Sequence, residues 1–135
     1  MTRNKIVVHF VDGRILKGHT DDFLPTKPSF HLSPVEPASQ AKPAEVRIAD
    51  LKAVFFVKEF RTKRHLNPHR QGFDPSRPVS GRKIRVVFKD GEVLMGTTQG
   101  YDPRRPGFFV VPADPASNNE RCFVVTGSTK EVSFI

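Results

Sequence analysis

The chain has 135 residues, with 22 Lys and Arg against 14 Asp and Glu, giving a net charge of +8 and a pI near 10.1. No apolar run reaches the ~18 residues that a membrane-spanning helix needs, and twelve Pro with nine Gly exclude an architecture of long helices. The single cysteine, Cys122, excludes an internal disulfide; with no signal-peptide pattern after Met1, the sequence predicts a soluble protein of the reducing cytoplasm.

The first predicted strand carries Ile6, Val8 and Phe10 at a spacing of two, which places them on one face. Asp12-Gly13 follows as a hairpin turn, because Gly adopts the positive φ that such turns need. Leu16 restarts the chain as a second strand, and Gly18 inside it predicts a bulge or bend. After a loop bounded by Pro25 and Pro28, strands are predicted at 30–33, 45–48 and 53–57.

The same series then recurs. At an offset of 78 residues, Lys5–Val57 aligns without a gap on Lys83–Ile135, and 20 of the 53 pairs are identical. Asp12-Gly13 returns as Asp90-Gly91, Leu16-x-Gly18 as Leu94-x-Gly96, and Pro37-Ala38-Ser39 as Pro115-Ala116-Ser117. This is an internal duplication. The predicted organisation is a first repeat over 1–60, a basic proline-containing linker over 61–81 and a second repeat over 82–135. Five short strands with a bent second one describe a small barrel, so the expected fold class is all-β, two tandem five-stranded Sm/SH3-like barrels.

The repeat also sorts the two faces. Ile6, Val8 and Phe10 recur as Ile84, Val86 and Phe88, which marks them as core. The other face differs between the copies: Val7, Val11, Phe55 and Val57 stand where the second copy has Arg85, Lys89, Ser133 and Ile135. A strand that is apolar on both faces must be covered on both. Val7, Val11, Phe55 and Val57 are therefore protein-interface candidates, covered by the second repeat or by a partner. Exposed edge strands add a homodimer as an expected partner.

Phe88-x-Asp90-Gly91, Leu94-x-Gly96, Tyr101-Asp102 and Phe108-Phe109-Val110 resemble the first motif of Sm-like barrels, and Val124-Val125-Thr126-Gly127 through Ile135 resembles the closing one. The Asn that those proteins use to read RNA bases has no counterpart in either half, where Ser29 and Gly107 stand nearest. The phrases from Asp90 to Tyr101 and from Pro106 to Asp114 also resemble an uncharacterised bacterial domain family with this duplicated layout. That resemblance implies architecture and a bacterial setting, and supplies no activity.

Charge is uneven along the chain. Residues 1–57 and 82–135 each carry a net of +2, whereas 58–81 carry +4. Arg61, Lys63, Arg64 and Arg70 in the linker, with Arg104 and Arg105 in a loop of the second repeat, are candidates for binding RNA, DNA or a nucleotide through its phosphates. A solvated connection that keeps the protein soluble explains the linker equally well. His65 and His69 have HxxxH spacing, but Pro68 between them breaks the helix that would aim both at a metal. No Gly-rich phosphate loop, Gly-x-Ser-x-Gly elbow or CxxC pair occurs, and Cys122 corresponds to Ala44. The expectation is a non-catalytic binding or adaptor module without cofactor or metal, with a polyanion-binding protein as the alternative.

Overall fold

The computed structural model describes residues 4–35, 43–60, 81–113 and 118–135, and builds ten strands from them. In the first repeat these are β1 (Asn4–Phe10), β2 (Ile15–Thr20), β3 (Ser29–Pro34), β4 (Ala44–Arg47) and β5 (Leu51–Val57). In the second they are β6 (Arg82–Phe88), β7 (Val93–Thr98), β8 (Gly107–Pro112), β9 (Asn119–Val125) and β10 (Thr129–Phe134). A 3-10 turn links the last two strands of each repeat, over Ile48–Asp50 and Thr126–Ser128. Each strand expected from the sequence is present, most shifted by a residue or two at their ends; β9, expected at 123–126, begins four residues earlier.

The local reasons are those of the sequence. Gly13 and Gly91 turn the two hairpins at φ of 95° and 94°, in the left-handed region. Asp12 and Asp90 accept the backbone N–H two residues on, from Arg14 and Glu92, each at 3.0 Å. Gly18 and Gly96 serve a different purpose from a left-handed kink. A Cβ on either would run into a neighbouring strand, at the Ser33 and Val111 carbonyl oxygens respectively. Only Gly lets β2 cross β3, and β7 cross β8, that closely.

All pairing is antiparallel, in the linear order β10-β6-β7-β8-β9-β5-β1-β2-β3-β4. Within each repeat the strand order is the same. Pairing does not divide the strands into two separate closed barrels: β5 of the first repeat bonds to β9 of the second, so that the sheet is one ten-stranded ribbon, open at β4 and β10. The divergence between the repeats explains the join. Along β5, Val54 and Phe56 enter the first core, while Ala53 and Phe55 enter the second. Along β9, Cys122 and Val124 enter the second core, while Phe123 and Val125 enter the first. β5 and the Cys122–Val125 part of β9 are thus buried on both faces, and read as apolar runs for that reason.

The outer edges are the repeat equivalents of these strands and are polar where the seam is apolar. Glu45 and Arg47 on β4 stand in place of Phe123 and Val125; Glu131 and Ser133 on β10 stand in place of Ala53 and Phe55. No helix among the described residues is long and apolar enough to cross a membrane.

Candidate functional site

The sheet bends open beside the seam. β7 and β8 pair at Gly96–Pro112 and Thr97–Val111, after which the chain leaves through Gln99–Pro106 and β8 goes on to pair with β9. The Thr98 hydroxyl pins the departure, donating to the Phe109 carbonyl at 2.8 Å and accepting from the Gly100 N–H at 3.3 Å. Between this loop, β8, β9 and the Pro25–Thr26 loop of the first repeat lies a groove of about 1300 Å³. Its wall is largely apolar, with Tyr101, Phe109, Val111 and Pro112 prominent in it.

Among the described residues two cations line this groove, Arg105 and Arg121. Arg121 sits on β9 directly opposite Phe56, and its guanidinium lies over the Phe56 ring at 4.4 Å and the Phe109 ring at 5.0 Å. Phe109 in turn packs on Phe123 at 5.2 Å between centroids, and Phe23 on Phe123 at 5.1 Å. Contact with two rings restricts the guanidinium and lowers the ordering cost of a further contact. Among the described residues no carboxylate is paired with Arg121.

The two arginines singled out in the loop have separate fates. Arg104 is spent on Asp102, through its backbone N–H at 2.9 Å and its guanidinium at 3.1 Å. That bonding, helped by the Arg105 charge, holds the Asp102 carboxyl below its ordinary value. Arg105 is fixed by its backbone, its N–H donating to the Asp102 carbonyl at 3.0 Å and its carbonyl accepting from Thr126 Oγ1 at 2.9 Å. Its side chain is left at the groove. Arg61, Lys63, Arg64 and Arg70 lie outside the described residues.

Of the four apolar interface candidates, Phe55 packs against the second core and Val57 is buried at the same seam. Val7, cross-strand from Phe55, is half-buried, whereas Val11 at the first hairpin is 64% exposed. Arg121 was missed by sequence reasoning. The signal for it was the contrast with Pro43, its repeat partner, beside the replacement of Glu45 by Phe123.

A second polar cluster closes the seam elsewhere. Lys52 of β5 reaches Asp90 at 2.8 Å and Glu92 at 2.6 Å in the second hairpin, over the face of Phe88 at 4.7 Å. Burial alone would lower the Lys52 pKa, but the two carboxylates overcome it and raise it; Lys52 likewise holds Asp90 low. His9 stacks edge-on against Phe55 at 4.7 Å, and burial together with the Lys52 charge lowers its pKa. Burial drives the Cys122 thiol far up, so it is an inert core group. In the first repeat Asp22 accepts from the His31 ring at 2.7 Å, the His31 N–H at 2.9 Å and Thr20 at 3.1 Å. Among the described residues no three His, Cys, Asp or Glu side chains are grouped to hold a metal.

The one comparison that gives a match covers almost the whole length: residues 2–135 fit the model of a family of unknown function, DUF6982. The chain belongs to DUF6982. No curated protein and no solved structure matches it. For a DUF6982 chain the assignment therefore rests on the groove, the seam and the charge just described.

Proposed function

We propose that this protein is a non-catalytic binding module, two Sm/SH3-like units fused at one seam, whose ligand is an anionic group taken into the groove beside that seam. The observation that carries the reading is the Arg121 guanidinium set over the Phe56 and Phe109 rings in the lining of a largely apolar groove. An arginine seated on aromatic rings, with no carboxylate paired to it among the described residues, is suited to receive a carboxylate or phosphate. The groove joins residues of both repeats, which gives the duplication a use beyond stability. A bacterial, cytoplasmic adaptor role fits this reading.

A second reading places the ligand, a nucleic acid or nucleotide, on the basic linker together with Arg104 and Arg105. It is favoured by the charge excess of residues 58–81 and by the presence of Arg105 at the groove. Fluorescence anisotropy separates the two, using a labelled peptide with one Glu among apolar residues and labelled mixed-sequence RNA and DNA at about 50 and about 200 mM salt. Binding that falls with Arg121→Met and ignores Ala at Arg61, Lys63, Arg64 and Arg70 supports the groove. The reverse pattern supports the linker, and no binding at the lower salt sinks both.

A further inference from the structure

The geometry points to a more specific occupant: an extended segment of a partner protein in which an Asp or Glu stands between apolar side chains. The inference rests on the groove reading above and names its ligand class.

Three features select a peptide over a nucleic acid strand. First, the rings on which bases would stack are already engaged with one another or with Arg121. Arg121 covers Phe56 and Phe109, Phe109 also meets Phe123, and Tyr101 is packed edge-on against Phe108 at 4.7 Å. Single-strand binding draws on open aromatic faces, about one per base. Second, among the described residues the groove lining holds two arginines, too few for a chain of phosphates. Arg104 is committed to Asp102, and the Asp102 carboxylate itself lines the groove, where it repels a continuous polyanion. Third, the groove wall is largely apolar, with Pro, Val and aromatic residues outweighing its Thr and Gln, and such a wall rewards apolar groups more than sugar or phosphate. One carboxylate matched to Arg121, flanked by side chains set on Val111 and Pro112, satisfies charge and apolar area together.

Repeat asymmetry makes the site single. The positions equivalent to Arg121, Phe109 and Phe123 are Pro43, His31 and Glu45, so the first repeat has neither the fork nor its aromatic bed.

The test uses labelled eight-residue peptides with a central Glu among Leu, Val and Pro, the same peptides with Gln, and a labelled eight-nucleotide DNA strand. The full chain is the receptor, and binding is read by anisotropy and by backbone amide shifts over 97–109. The expected result is saturable binding of the Glu peptides, at least about tenfold tighter than the Gln peptides, with shifts confined to the groove. Arg121→Met, which keeps the apolar stem over the rings, abolishes the Glu preference. Val111→Glu, at a half-exposed surface position that leaves the cores intact, weakens the Glu peptides and Val111→Lys strengthens them. DNA that shifts the groove amides while the peptides do not overturns the ligand class and leaves the groove reading standing. Glu and Gln peptides bound equally, or a preference indifferent to Arg121→Met and Val111→Glu, also overturns it. If neither peptide nor DNA shifts those amides, both readings fall.

Discussion

Phe55 of β5 and Cys122 of β9 face one another across the seam, and both side chains lie on the side of the second core. Each comes from a different repeat, so neither core is the property of one repeat alone. The adjoining pair, Val54 and Phe123, does the same for the first core.

From that sharing follows one cooperative unfolding transition. Phe123→Ala removes a fully buried ring from the first core, although the residue belongs to the second repeat. The expected loss is about 3 to 5 kcal/mol. In a urea titration followed by methyl NMR, Ile6 and Ile84 signals should disappear at one common midpoint, lowered from that of the natural protein. Separate midpoints would show that the repeats unfold independently.

The Lys52 contacts should matter less than their number suggests. Its side chain is 12% exposed, but Asp90 and Glu92 are more than half exposed, so solvent screens the pairs. A double-mutant cycle with Lys52→Met and Asp90→Asn is expected to give a coupling of about 0.5 to 1 kcal/mol, reduced by salt. The sign of the pH response follows from the shifts. Asp90 is depressed, so its contribution is present above its unfolded pKa and is lost as pH falls through the folded one. Lys52 is raised, so its contribution is present below its unfolded pKa and is lost as pH rises through the folded one.

His9 supplies a nearer pH dependence. Its pKa is lowered in the folded protein from 6.5, so the unfolded chain binds the proton more readily. Stability should therefore decline as pH falls from about 7 toward the folded pKa, and flatten below it. Replacement by Gln should remove that slope in thermal melts taken between pH 7 and pH 5. An unchanged slope would assign it to another group.

The polar edges should be what stops the ribbon at ten strands. Giving β4 and β10 the seam residues of β9 and β5 (Glu45→Phe and Arg47→Val with Glu131→Ala and Ser133→Phe) makes each edge resemble the strand that pairs internally. Analytical ultracentrifugation should then show concentration-dependent association absent from the natural chain. Pro43 has no N–H to donate next to β4 and will limit the gain, so adding Pro43→Arg should strengthen association further.

The duplication, the strands, the two Asp-Gly turns and the inward set Ile6, Val8, Ile84 and Val86 were all legible without coordinates. Each depends on a period of two or on the backbone freedom of one residue, and both are local. The apolar outer face of Phe55 and Val57 was legible as a surface in need of cover. What covered it was not, because cover is a long-range pairing. Arg104 and Arg105 read alike in sequence, yet one is bound to Asp102 and the other turned to the groove. Arg121 was not singled out in the sequence, since Phe56 and Phe109 lie 65 and 12 residues from it in the chain.

By itself, then, the sequence determined the repeated strand unit and its inward face, because alternation and turn chemistry act between neighbours. Only the tertiary structure decided that β5 meets β9, that two cores share those strands, and that the resulting bend opens a groove under Arg121. Pairing of edges is settled by which side chains bury each other across the whole chain, and no local pattern contains that information.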